Sequence, residues 1–242
     1  MKPGLVVVPD ARALARRAAE RILQLTRAAV AERGHCAVAL AGGSTPRATY
    51  EVLGTSAIAA AVPWAAISWY FGDERAVPSD HPESNYRLAC ETLFAGRPEA
   101  LARVHRMVAD AADLEQAARD YAGLLPDALD LLLLGLGEDG HTASLFPGSA
   151  ATRERSAKVV AVTSPKPPNP RLTVTAPVIE SAREVLVLAS GSGKAEALVR
   201  ALEGPLDVTA VPAQLARHGS WIVDRDAARL LKAAGLRPPS PR

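Results

Sequence analysis

Residues 129–148 read LDLLLLGLGEDGHTASLFPG, an apolar run that empties into glycines, two acidic residues and a histidine. Leu131–Leu134 show no two-residue alternation of apolar and polar positions, so they predict a strand buried on both faces. Such strands belong to parallel sheets covered by helices on either side. In open sheets of that kind ligands bind beyond the carboxyl ends of the strands. The loop that follows Leu134 is therefore a place to look for chemistry.

The same rhythm extends in both directions. Upstream lie an apolar run at Leu5–Val8, an amphipathic helix over Ala11–Glu32, a strand at Cys36–Ala41 and a helix after Pro46. A strand at Ile67–Phe71 and helices over Asn85–Phe94 and Asp113–Leu124 come next. Downstream come KVVAVT at 158–163, RLTVT at 171–175, a short helix at Pro177–Ala182 and EVLVLAS at 184–190. A helix over Lys194–Leu202, SWIV at 220–223 and a final helix complete the series. This switching of period predicts a three-layer α/β/α sandwich around a mainly parallel, Rossmann-like sheet. No repeat or Ser/Gly linker interrupts it, so one domain is expected across residues 1–242. A disordered tail is expected at 236–242, above all at Pro238–Arg242. The proline-rich TSPKPPNP at Thr163–Pro170 reads as a stiff wall or rim.

Of the 242 residues 48% are hydrophobic but only 4% aromatic, so Ala, Val and Leu must build the core. The net charge of +2 is spread along the chain and leaves no footprint for nucleic acid or an anionic membrane. A small-molecule partner is expected, with the chain a monomer or homodimer. Cys36 and Cys90 show neither CxxC nor Cys/His spacing, so neither a disulfide framework nor a metal site is expected. The N-terminal apolar run stops at Pro9 and Asp10, unlike a signal peptide, and no stretch reaches the length of a membrane span. A cytoplasmic location is the expectation.

Four strand ends carry candidate residues. At the first, Gly42, Gly43, Ser44 and Thr45 lead into a helix; close backbone approach, hydroxyl donors and the helix N-terminus suit a phosphate. The plain alternative is a capped turn with Pro46 at the first helical position. At the second, Ile67–Phe71 delivers Asp73, Glu74 and Arg75, either as a salt-bridged turn between Asp73 and Arg75 or as working charges; His81 beyond them reads as an exposed loop residue. At the third, a neutral His141 can take a proton from water near neutral pH, and a neighbouring carboxylate can fix its tautomer. At the fourth, Gly191-Ser192-Gly193 precedes Lys194. The P-loop pattern fails there, because no glycine lies five residues before Gly193 and Ala195 replaces its Ser/Thr. Arg171, just after the proline-rich loop, offers a bidentate partner for an anion, although by itself it reads as a solvated surface charge.

Together AGGSTPRATYEVL, WYFGDERAVPSDHPESNY, LLLLGLGEDGHTASLFPG, NPRLTVTAPVI and GSGKAEAL resemble the 6-phosphogluconolactonase family over nearly the whole chain. DGHTASLFPG is the most specific of these stretches. The wider group includes glucosamine-6-phosphate deaminases and ribose-5-phosphate isomerases. The resemblance implies hydrolysis of 6-phospho-D-glucono-1,5-lactone to 6-phosphogluconate, the second step of the oxidative pentose phosphate pathway, without metal or organic cofactor. Deaminases with a similar DGH loop carry a carboxylate five residues after the histidine. This chain has Phe146 there, which argues against deamination.

The expected mechanism follows from the substrate's two ends. Gly43–Thr45, Arg171 and Lys194 bind the phosphate, and His141 deprotonates the water that attacks the lactone carbonyl and then returns a proton to the ring oxygen. Arg75 or the N–H groups around Gly140 stabilise the oxyanion. Asp73 or Asp139 orients His141 or the sugar hydroxyls. A deaminase or isomerase that uses Asp73 as its base, a sugar-phosphate sensor and an ATP-binding protein are the competing readings.

Overall fold

The computed structural model describes residues 4–55 and 57–232; the tail expected at 236–242 lies outside the described residues. In chain order the strands are β1 (Gly4–Val8), β2 (Cys36–Leu40), β3 (Ile67–Phe71), β4 (Asp73–Arg75), β5 (Leu131–Gly135), β6 (Val159–Val162), β7 (Arg171–Val174), β8 (Val185–Ala189) and β9 (Ser220–Asp224). The helices are α1 (Ala11–Arg33), α2 (Ser44–Thr55), α3 (Asn85–Thr92), α4 (Pro98–Leu101), α5 (Leu114–Leu124), α6 (Ala176–Ser181), α7 (Ala195–Leu202) and α8 (Arg225–Ala228). None of the described helices is long and apolar enough to cross a membrane.

Six strands form a parallel sheet in the order β1-β9-β8-β5-β2-β3, flanked by helices. Its inner strands follow the apolar runs: every residue of β2 and β8 is buried, and β5 is buried through Leu134. With so few aromatics, close approach depends on small side chains. α1 accordingly turns Ala15, Ala18 and Ala19 inward beside Leu14 and Ile22. Asp10 caps its start by accepting from the Ala13 N–H at 2.8 Å, and Gly34 ends it at φ 77°.

Strand order identifies where a ligand can enter. From β2 the chain moves outward to β3, whereas from β5 it moves the other way to β8 and β9. The loops after β2 and β5 therefore diverge at the switch point of the sheet.

The rest departs from a single sheet. KVVAVT and RLTVT become β6 and β7 of an antiparallel sheet ordered β4-β7-β6. No apolar run announces β4, because its charged residues are paired by groups distant in sequence. The helix expected after Pro46 starts at Ser44 instead, with the Arg47 N–H bonded to the Gly43 carbonyl at 3.0 Å. Pro46 falls in the first turn, where an N–H would have no helical partner.

Buried tyrosines tie down the strand ends. The Tyr50 hydroxyl accepts from the Ala41 N–H at 2.9 Å and donates to the Ala41 carbonyl at 2.8 Å, just before Gly42. The Tyr121 hydroxyl accepts from the Phe71 N–H at 2.7 Å, just before Gly72. Tyr50→Phe strands both polar groups of Ala41 in the core and is expected to lower stability by about 1–3 kcal/mol in urea unfolding. No change in the unfolding midpoint would contradict this account of the β2 end.

Candidate active site

The loop after β5 is folded back on itself. The Gly137 N–H donates to the His141 carbonyl at 2.8 Å, and the Gly140 N–H donates to the Gly137 carbonyl at 3.0 Å. Gly140 takes φ 95°, which disfavours any other residue. This brings the Asp139 carboxylate within 2.6 Å of His141 Nδ1 and 3.1 Å of its backbone N–H. A carboxylate only accepts, so Nδ1 carries a hydrogen, and in the neutral ring the lone pair is then on Nε2. Burial pushes the Asp139 carboxyl up, but the backbone N–H, charge and ring of His141 outweigh it and leave the group below its ordinary value.

The pair requires Gly137. A Cβ there would stand 2.0 Å from His141 Nδ1 and 2.6 Å from Asp139 Oδ1.

The geometry thus sets Asp139, not Asp73, beside His141. Asp73 is buried, accepting from Ser144 Oγ at 2.7 Å and from Asn85 Nδ2 at 3.3 Å. Nor does Asp73 form a salt-bridged turn with Arg75. Arg75 donates to the Glu83 carbonyl and lies 3.7 Å from the Glu83 carboxylate, while its Nε is buried without a partner among the described residues. Glu74 accepts from the N–H groups of Arg75, Asn85 and Tyr86, each at 2.8 Å, and from Ser84 Oγ at 3.1 Å. It anchors the start of α3, and burial raises its carboxyl despite those donors. His81 is exposed, as expected.

Arg171 corrects the local reading of a solvated charge, being only 8% exposed. It sits directly across from Arg75 in the β4–β7 ladder. Nε reaches the Pro168 carbonyl at 3.2 Å, Nη2 the Lys166 carbonyl at 3.3 Å and Nη1 the Ser144 hydroxyl at 3.5 Å. Burial lowers its pKa, with Asp73 opposing and Arg75 reinforcing the shift. Like charges placed opposite each other on a ladder repel, and an anion relieves that repulsion.

Lys194 ends a single 3₁₀ turn, Ser192–Lys194, with Nζ 3.9 Å from Glu138. Gly43 and Ser44 are exposed, Gly43 at φ 99°, while Thr45 is half-buried in the first turn of α2. Gly42 packs on α3, where a Cβ would meet Asn85 Oδ1 at 1.9 Å. The N–H groups of Gly140 and His141, a suggested oxyanion site, are already bonded within the loop.

Several contacts within the site had no sequence signal. Ser144 bonds Asp73, 71 positions away, and its N–H donates to Thr173 Oγ1, 29 positions away, at 3.0 Å. Asp224 accepts from Ser190 Oγ and from the Gly191 N–H at 3.0 Å, and so holds the loop that carries Lys194. Phe146 packs its ring against His141, with centroids 4.9 Å apart, and under the Arg171 guanidinium at 5.6 Å.

Residues 9–223 match the family described as glucosamine-6-phosphate isomerases/6-phosphogluconolactonase. The chain belongs to this family. A 6-phosphogluconolactonase of Mycobacterium tuberculosis is 38% identical, with 96% of this chain and 99% of that protein covered. The structure of 6-phosphogluconolactonase from Trypanosoma brucei aligns at a TM-score of 0.82 with 30% identity, covering 96% of this chain and 99% of that one. A monomeric glucosamine-6-phosphate deaminase aligns at 0.83 with 26% identity, covering 94% and 99%. Backbone likeness therefore does not separate the family's two chemistries.

Two measurements check the geometry. Gly137→Ala is expected to displace the His141–Asp139 pair and reduce turnover about 100-fold or more, with the fold retained by circular dichroism. Because the Asp139 carboxyl lies below its ordinary value of 3.8, its stabilising contribution is full above that value and is lost as pH falls through the lowered one. Carboxyl-carbon NMR should accordingly find Asp139 titrating below 3.8.

Proposed function

We propose that this chain, acting as one domain, hydrolyses 6-phospho-D-glucono-1,5-lactone to 6-phosphogluconate in the pentose phosphate pathway, with His141 as the base. The observation that carries the mechanism is the 2.6 Å contact between His141 Nδ1 and Asp139, which leaves Nε2 able to take a proton from water. Attack on the lactone carbonyl gives a tetrahedral oxyanion. Its breakdown expels the ring oxygen, which takes the proton back from the imidazolium.

Arg75 stabilises that oxyanion through the charge of its partly buried guanidinium, since its Nε is closed off from solvent and the loop N–H groups near Gly140 are engaged. Arg171, Lys194 and the Gly42–Thr45 turn take the phosphate, the turn through exposed donors at the start of α2. Asp73 acts through Ser144, holding the loop against β7 rather than exchanging protons with substrate. Phe146 occupies the position where the related deaminases carry a carboxylate, which favours hydrolysis over deamination.

The test generates the phosphorylated lactone in situ from glucose 6-phosphate and follows its loss. Wild-type chain should accelerate loss over the spontaneous rate, and His141→Asn should lower kcat by about 10²–10⁴-fold. Arg171→Ala and Lys194→Ala should mainly raise KM. Unimpaired turnover by His141→Asn would remove the base assignment. Release of ammonia from glucosamine 6-phosphate would instead favour the deaminase.

A further inference from the structure

Phe146 is a large apolar side chain inside a polar site, 5% exposed. Its backbone is held on both sides. The Leu145 N–H bonds the Thr142 carbonyl at 3.0 Å, the Ser149 N–H bonds the Phe146 carbonyl at 3.1 Å, and the Gly148 N–H bonds the Thr209 carbonyl at 2.8 Å. The ring meets His141 at an interplanar angle of 51° and also carries the Arg171 guanidinium. Among the described residues Arg171 hydrogen-bonds only to neutral oxygens, at 3.2 to 3.5 Å. The negative face of an aromatic ring attracts a cation, and a flat ring sets a defined spacing.

We infer that Phe146 is the positioning residue that sets the separation of the His141 imidazole and the Arg171 guanidinium, and so selects a lactone with an anionic group at its far end. The inference rests on the roles given above to His141 and Arg171. An aliphatic side chain of similar size fills the space but offers Arg171 no π face. The cation then loses its preferred orientation while the base keeps its Asp139 partner. The loss falls on recognition of the phosphorylated substrate, whereas an unphosphorylated lactone, which does not engage Arg171, is affected much less.

The experiment measures kcat and KM for Phe146→Leu and Phe146→Tyr with 6-phosphogluconolactone and with unphosphorylated glucono-1,5-lactone. Phe146→Leu should raise KM for the phosphorylated lactone about three- to tenfold and reduce the preference for it by a similar factor. Phe146→Tyr, which keeps the ring, should hold the preference. In an Arg171→Ala background Phe146→Leu should raise KM no further. An unchanged preference in Phe146→Leu, or independent effects in the double variant, would overturn the inference. If Phe146→Leu does not fold, Phe146→Met carries the same comparison. Should His141→Asn stay active or Arg171→Ala leave KM unchanged, the underlying assignments fail instead.

Discussion

The buried hydrogen bond from Ser144 to Asp73 joins two parts of the molecule that backbone pairing leaves separate. Asp73 belongs to β4 of the small antiparallel sheet, and Ser144 to the loop leaving the centre of the large parallel one. A buried carboxylate needs hydrogen-bond donors, and Asp73 obtains one from Ser144 and another from Asn85. Ser144 in turn donates its N–H to Thr173 on β7. The loop is thereby fastened to the strand that bears Arg171. Phe146, two residues beyond Ser144, lands between Arg171 and His141 as a consequence.

Three carboxylates, two on β4 and one in the His141 loop, differ in the donors that they accept from. Asp139, half-exposed, accepts from the backbone and ring of His141 and is held low. Glu74 is buried, and its donors only partly offset the burial that raises it. Asp73 is buried on hydroxyl and amide donors. Asp139 alone among them hydrogen-bonds the His141 imidazole, while Asp73 and Glu74 bond the segments around Ser144 and the start of α3. The cations divide similarly: Arg75 and Arg171 face each other across a ladder, while Lys194 stands against Glu138.

Much of the scaffold was legible from periodicity. Ile67–Phe71 forms a strand at the expected bounds, and Asn85 and Leu124 begin and end their helices as expected. The parallel character of the large sheet followed from runs such as Leu131–Leu134, whose lack of alternation reflects burial on both faces. β4 was not legible, because a three-residue charged strand has no pattern of its own and exists through its pairing with β7. Ser44 and Thr45 were read as loop because Pro46 suggested a helix start, yet proline is tolerated throughout the first turn.

The sequence by itself determined the alternation of strands and helices, the placing of polar loops at strand ends, and the histidine loop that resembles one enzyme family. These are local properties, set by spacing and by residue type. Only the tertiary structure decided which carboxylate meets His141, that Arg171 is buried opposite Arg75, and that Phe146 touches both ends of the site. Asp139 and His141 meet within one loop, but the other contacts join side chains far apart in sequence, Ser144 with Asp73 and Arg171 with Phe146 among them. The folding of two sheets against each other brings them together, and no pattern within either segment records that distance.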